Sequence, residues 1–370
     1  MNLNGSHIRK NIHGFLCLIF VVVIMVAGLW PFNFWPENKV RWLKNQNGIQ
    51  FFGQAIIFTL PPAPSTLHPF SIEIWLQPGK ESYNYAARIL SFYDQQRTEN
   101  ITLSQWKSTF ITQGRIKNRH PERYPKIGVK DALLKGVKRF FTITSGPEGI
   151  KIYIDGELTG KYPKFNLFLV NEGNIGQLIL GNSPTGNQYW TGNLLDLAIY
   201  NRSLTEEQVL KSFENWEKNK KSPLQKEEGI VSIYLFDERS GTLAYDHVSG
   251  HHLVIPSTFE PLQKTILALP WKDLGLNRSY FMDILINILG FIPFGFLFST
   301  YVRLRKSRST YRIFLISILL AGCISLFIEL IQVYLPTRTS QLTDILTNTF
   351  GAFLGGIVFH LYDHKRHLPS

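Results

Sequence analysis

The chain has 370 residues and only two cysteines, Cys17 and Cys323. So few thiols exclude a disulfide-stapled scaffold. Charge is also scarce: 18% of the residues are Asp, Glu, Lys or Arg, below the usual share of about a quarter. Between residues 31 and 280 there is no long apolar run. Aromatic residues are plentiful, with 27 Phe and 8 Trp, and that excludes disorder because such a chain can bury a core. The net charge of +12 would suggest a basic soluble protein if the apolar residues were evenly spread, and they are not.

The apolar residues concentrate in four runs. Residues 12–30 carry no charge. Residues 281–302, 313–335 and 342–362 each carry one acid: Asp283, Glu329 and Asp344. At about 1.5 Å per residue, each run is long enough for a bilayer core of about 30 Å. Four transmembrane helices are expected. Basic residues flank them unevenly. Arg9 and Lys10 precede the first run, Arg303, Arg305, Lys306, Arg308 and Arg312 separate the second from the third, and Lys365 and Arg366 follow the fourth. Four crossings put these on one side, the cytoplasm by the positive-inside rule. Both termini, residues 1–11 and 363–370, are then cytoplasmic, and residues 31–280 and the loop 336–341 lie outside. A cleaved signal peptide is the alternative for the first run. Its length, its lack of a small-x-small site and the aromatic belt Trp30, Phe32, Phe34 and Trp35 favour a retained anchor.

Residues 40–256 read as all-β, followed by a linker at 257–280. Short β-rich runs recur at 49–60, 70–76, 88–92, 140–144, 150–154, 177–180 and 194–200. Asp155-Gly156 between two such runs is a hairpin signal. One helix is expected at 204–217, with Ser203 as N-cap and Glu206 closing a capping box. Many short strands in about 215 residues predict a two-sheet sandwich.

The segments FSIEIWLQP (70–78), IKIYIDGEL (150–158), LILG (178–181) and YWTGNLLDLAIYNRSLTEEQV (189–209) resemble the laminin-G/concanavalin A-like jelly roll. The segment 234–250 resembles the strand that usually opens such a domain, yet here it closes it. A permuted order predicts that residues near 45 and near 255 lie side by side, as insertion between two membrane helices requires. Some glycosidases share this fold and need two carboxyls about 5 Å apart. The E-x-D-x-E and E-x-D-x-x-E patterns that supply them are missing, and Glu73 and Asp196 each stand alone on a strand. A binding or spacer module is expected rather than a hydrolase. No cofactor and no resident metal is expected, although the resemblance allows a calcium ion. Asp237, Glu238 and Asp246 are the nearest carboxylates for one, with turn chemistry as the alternative.

Residues 107–139 hold ten basic and two acidic residues. Within them Arg115, Lys117, Arg119, Arg123 and Lys126 form a candidate basic outer patch. Nucleic acid is excluded as a partner outside a membrane. Anionic polymers, surface glycans or lipid headgroups fit such a patch, and a solvated loop is the other reading.

Polar residues inside membrane runs are costly and usually face the bundle interior. Asp283, Asn287 and Gly290 share one helix face, with Pro293 and Gly295 after them allowing a kink. Ser325, Glu329 and Gln332 share a face of the third run. Asp344, Asn348, Gly351 and Gly355 share a face of the fourth, and the last two form a G-x-x-x-G pair for close helix approach. Arg338 sits in the loop between Glu329 and Asp344, and pairing with one of them is expected. Together these residues predict one polar site in the outer half of the bilayer, or else charges that merely pin the helices together.

The runs NILGFIPFGFL (287–297) and IELIQVYLPTRTSQLTDILTNTFGAFLGG (328–356) resemble the VanZ-like membrane family, as does WPFNF (30–34) after the first helix. That family's loop after the first helix is usually short, and here it holds the jelly roll. The resemblance implies a bacterial cell membrane and a cell-envelope role, the family being named from a protein linked to low-level teicoplanin resistance. It implies no reaction. Three functions remain open: a binding protein for envelope glycan and lipid headgroup, a membrane enzyme acting on an envelope lipid with Glu329 as general base, and a small transporter.

Overall fold

Alternating side chains build sheets and unbroken apolar runs build membrane helices, and this chain keeps the two apart. A computed structural model describes residues 3–60, 66–67, 69–81, 83, 85–93, 99–114, 127–167, 169–170, 177–218, 228–269, 278–305 and 309–366. It divides into two compact units, Trp35–Gln263 and the pair of segments Met1–Phe34 and Lys264–Ser370.

The second of these units opens with helix α1 (Leu3–Leu29). The other unit then begins with strands β1 (Val40–Trp42), β2 (Ile49–Phe51), β3 (Ile57–Thr59), β4 (Thr66–Leu67), β5 (Phe70–Pro78) and β6 (Ala87–Tyr93). It continues with β7 (Glu99–Trp106), β8 (Thr109–Gly114), β9 (Ile127–Val129), β10 (Arg139–Gly146), β11 (Gly149–Ile154) and β12 (Glu157–Tyr162). Next come β13 (Leu169–Val170), β14 (Gln177–Leu180), β15 (Gly192–Tyr200) and helix α2 (Glu206–Glu217). Strands β16 (Ile230–Tyr234), β17 (Leu243–Ala244) and β18 (Leu253–Val254) complete it. One sheet has the order β1-β2-β15-β5-β10-β11-β12, with β16 also on β15. The other has the order β17-β18-β3-β14-β6-β7-β8-β9, and β4 pairs with β13 apart from both. This is a jelly-roll sandwich.

Period-two alternation sorts the side chains. Along β5, Ile72, Ile74 and Leu76 enter the core between the sheets, and Trp75 enters a second core on the outer face. On β15 the phase changes: Leu194, Leu197 and Ile199 join the first core, and Leu195, Ala198 and Tyr200 the second. A bulge between Leu194 and Asp196 resets the register and allows this. The hairpin at Asp155-Gly156 forms with both residues at positive φ, 53° and 84°, the combination a two-residue type I′ turn demands.

Helix α2 covers the outer core with Val209 and Trp216. Its cap differs from the expected one. Thr205, not Ser203, is the N-cap, and its box closes on Gln208 rather than Glu206. Both pairs fit the spacing, but starting after Thr205 puts Leu204 just before the cap and Val209 at the fourth helical position. Both are buried in the same core, as a hydrophobic staple requires.

The two ends of this unit meet. The Asn38 N–H donates to the Ser257 carbonyl at 3.1 Å, and the Phe259 N–H donates to the Pro36 carbonyl at 2.8 Å. The buried Asn38 side chain donates to the carbonyls of Ile56 and Pro256 and accepts from the Ile56 N–H. The permuted strand order therefore has the side-by-side ends it calls for. Asn38→Ala should lower the unfolding free energy of this unit by about 2 kcal/mol, because it strands buried backbone partners. A denaturant midpoint equal to that of the parent protein would show that the clasp contributes nothing.

Among the described residues, four helices are long and apolar enough to cross a membrane: α1, α3 (Arg278–Arg305), α4 (Thr310–Gln332) and α5 (Leu342–Arg366). Val22, Leu289, Leu319, Leu326 and Phe350 on them are exposed, as lipid-facing residues are. α4 has the length of the run but begins and ends three residues earlier. It stops at Gln332 because Pro336 disfavours helical backbone just before it, and Leu335 turns in to pack with Leu29 and Ile328. α3 passes through Pro293 as one helix, so the kink allowed for there does not break it.

Contacts at small residues fix the directions of the helices. A Cβ on Gly351 would lie 2.3 Å from the Ile288 carbonyl oxygen, and one on Gly355 would lie 2.1 Å from that of Ile292. Residue numbers rise together, so α3 and α5 run parallel. Gly295 meets Ala352 in the same seam, its would-be Cβ 2.2 Å from the Ala352 carbonyl oxygen. Gly14 meets Tyr301 and Gly28 meets Ile328, which sets α1 antiparallel to α3 and parallel to α4. The helix ends carrying Arg303 and Asp363 are therefore neighbours, and these two form an ion pair at 3.0 Å.

Candidate functional site

Parallel α3 and α5 bring their N-terminal ends together, and antiparallel α4 adds its C-terminal end. Asp283 and Asn287 from α3, Glu329 and Gln332 from α4 and Asp344 and Asn348 from α5 consequently reach one level. All six line a single cavity of about 520 Å³, together with Gly290, Arg338 and Thr337. α1 closes one side with Ile24, Ala27 and Gly28. Gly351 and Gly355 lie outside the cavity, in the α3–α5 seam that holds it in place. Gly290 has open space where a Cβ would sit, so it widens the cavity rather than tightening a contact. Pro293 does not line the cavity.

Several of these polar groups have a partner within the protein. Glu329 Oε2 accepts from the Gln341 N–H at 2.7 Å, tying α4 to the start of α5. Gln332 Nε2 donates to the Gly28 carbonyl at 2.8 Å. Asn348 Nδ2 donates to Ser325 Oγ at 2.8 Å, while Asn348 Oδ1 is buried without a hydrogen-bond partner. Thr337 Oγ1 is in the same condition. Asn287 and Asp283 of α3 line the cavity beside Asp344 of α5.

Arg338 does not make the expected ion pair with Glu329 or Asp344. Its Nε and Nη2 donate to the Trp30 carbonyl at 3.1 and 2.6 Å. The last carbonyls of α1 lack partners within the helix and carry partial negative charge, and the guanidinium caps them. Below the cavity, Phe291, Phe294, Ala321 and Ala352 form an apolar cluster.

The jelly roll has its own openings. One, of about 500 Å³, is lined by Glu81, Tyr83, Lys107, Ser108 and Lys135. A second of similar size is lined by Gln50, Phe52, Gln77, Lys80, Lys135 and Asn193. They share Lys135, so three lysines from distant sequence segments border adjoining spaces. Sequence spacing did not single out Lys80, Lys135 or Asn193, because turns join them only in three dimensions. Burial raises the pKa of the Tyr83 and Tyr85 hydroxyls, which keeps both neutral. The candidate basic patch, Arg115, Lys117, Arg119, Arg123 and Lys126, lies outside the described residues.

Of the carboxylates considered for calcium, Asp246 is committed to its own turn. It accepts from the N–H groups of Ile233, Val248 and Ser249. Asp237 and Glu238 instead gather with His247, with ligand atoms within 4.8 Å of one another.

Two family models divide the chain between them. The VanZ/LLP1 model matches residues 209–363, and the concanavalin A-like lectin/glucanases superfamily model matches residues 52–210. The chain joins a VanZ-like membrane region to a concanavalin A-like jelly roll. The VanZ-like match takes in α3, α4 and most of α5, and hence the cavity residues on those helices, and leaves out α1. Its first part runs through β16, β17 and β18, which belong structurally to the jelly roll. Similar solved structures include a native heptameric SAP-like pentraxin from Limulus polyphemus, at 13% identity over 47% of this chain and 81% of that one, with a TM-score of 0.35. A candidate carbohydrate-binding protein from Bacteroides ovatus matches at 14% identity over 60% of this chain and 62% of that one, with a TM-score of 0.42. No curated protein matches the chain.

Proposed function

We propose that this VanZ-like protein works in a bacterial cell membrane as a receptor for an envelope lipid, with its jelly roll outside holding a surface glycan or anionic polymer. The observation that carries the reading is the cavity. Six polar side chains from three membrane helices line one space of about 520 Å³, next to the apolar wall of Ile24, Ile286 and Phe291. Polar groups buried in a membrane are costly, and they usually mark a functional site. A polar floor beside an apolar wall suits a lipid headgroup and the start of its chains.

Orientation follows the charges. Lys10, Arg303, Arg305, Arg312 and Lys365 lie at or near the helix ends opposite the cavity, and the positive-inside rule assigns those ends to the cytoplasm. The cavity then faces the outer leaflet. The lectin/glucanases description of the jelly roll's family and its lysine-bordered openings support a glycan or polymer partner. A role in envelope integrity or glycopeptide resistance would follow from holding such a polymer near the membrane. The apolar cluster under the cavity speaks against a small transporter.

A second reading makes the protein a membrane enzyme acting on the bound lipid, with Glu329 as general base. Its burial, at 2% exposed, is the observation that favours it. Glu329→Gln separates the two, since it keeps an acceptor for Gln341 and removes the base. Mass spectrometry of lipids co-purifying with the full chain and with this variant is the test. Retained lipid of unchanged structure in both supports the receptor. A modified lipid that appears only with the parent protein would establish the enzyme. No co-purifying lipid in either, with both folded, would remove the proposal.

A further inference from the structure

The cavity between α1, α3, α4 and α5 has an uneven chemistry. Asp283, Glu329 and Asp344 line it with Arg338 as their counter-charge, which leaves an excess of acid. Arg338 has turned its Nε–H and one Nη2–H to the Trp30 carbonyl. Two amide groups spend a donor inside the protein, Gln332 on the Gly28 carbonyl and Asn348 on Ser325 Oγ. Besides the carboxylates, the buried side-chain atoms at the cavity that lack a partner are both oxygens. Asn348 lines the cavity at 7% exposed, and its Oδ1 is buried with no donor. Thr337 Oγ1 is buried without a partner as well.

An acceptor-rich, acidic space recognises a donor-rich cation. A phosphate brings only acceptors and negative charge, so the excess of carboxylates would repel it. A primary ammonium brings three N–H donors and a positive charge. We infer that the cavity of the VanZ-like region selects a protonated primary amine, carried by an amphiphile whose apolar part lies against Ile24, Ile286 and Phe291. The inference rests on the proposed lipid site and names the chemical class it takes. It also changes the role of Arg338, which organises the end of α1 rather than holding a phosphate.

The test uses the full chain in detergent, titrated separately with phosphatidylethanolamine, phosphatidylglycerol and putrescine, and read by native mass spectrometry. Phosphatidylethanolamine should bind at least about tenfold more tightly than phosphatidylglycerol, a ratio such measurements resolve. The isosteric double variant Asp283→Asn, Asp344→Asn should erase the difference, and Asp344→Glu should restore part of it to an Asp344→Asn single variant. Circular dichroism melting of each variant separates lost binding from lost fold. Putrescine binding more tightly than either lipid would keep the amine and make its source a soluble molecule. Tighter phosphatidylglycerol binding that is lost in Arg338→Ala would overturn the inference and keep the lipid site. Lipid binding that is equal for all headgroups and unmoved by the double variant would overturn the lipid site itself.

Discussion

Replacing Glu73 by alanine is expected to cost the jelly roll about 4 kcal/mol, because it strands several buried donors at once. Glu73 sits on β5 with no exposed surface. Its Oε2 accepts from Tyr200 Oη at 2.9 Å, Ser212 Oγ at 2.8 Å and Trp216 Nε1 at 3.1 Å. Two of these donors belong to α2, so one carboxylate ties the helix to the sheet. In a unit of this size the cost corresponds to a fall in melting temperature of roughly 8–16 °C. Glu73→Gln should lose less, since an oxygen remains to accept. Glu37→Ala, at an exposed ion pair with Lys39, should change little. Tryptophan fluorescence melting of the full chain reads all three. A Glu73→Ala midpoint within a degree or two of the parent would show that α2 is held by its apolar face alone.

The second large effect is expected at the α3–α5 seam. Gly351→Leu and Gly355→Leu should each separate the two helices and cost several kcal/mol, beyond the usual range of about 1–3 kcal/mol for overpacking, because the obstacle is backbone. The first side-chain carbon alone would lie 2.3 or 2.1 Å from a carbonyl oxygen of α3, and no rotamer moves that atom. Gly290→Ala is the control. It lies on the same α3 face as Asp283, yet nothing stands within 4 Å of its would-be Cβ. Detergent-solubilised yield and melting should collapse for the first two and hold for the third. Equal behaviour of all three would contradict the close seam.

Much of this architecture was legible in the residues. Period-two alternation marked the strands that build the sandwich, and Asp155-Gly156 marked its tightest hairpin. Four apolar runs marked the membrane helices. The polar faces of α3, α4 and α5 were visible because a helix stacks residues four apart, and the structure does bring those faces to one cavity. What escaped notice had no local signature. The bulge at Leu195 depends on β5 as a partner. The choice of Thr205 over Ser203 depends on which start buries Leu204 and Val209 together. Arg338 found a carbonyl at the end of α1, some three hundred residues away, where charge matching had suggested a nearby acid. Glu73 looked like a lone acid, and only the return of α2 over the sheet shows what it holds.

The most direct measurement is photo-crosslinking of the full chain in nanodiscs with a lipid carrying a photoreactive group near its headgroup, followed by peptide mapping. If the cavity is a headgroup site, adducts should concentrate at Ala27 and Gly28, at Ile286 to Phe291 and at Ile328 to Gln332, and should fall sharply in the Asp283→Asn, Asp344→Asn variant. Adducts confined to the exposed faces around Val22, Leu319 and Leu326, unchanged in that variant, would contradict it.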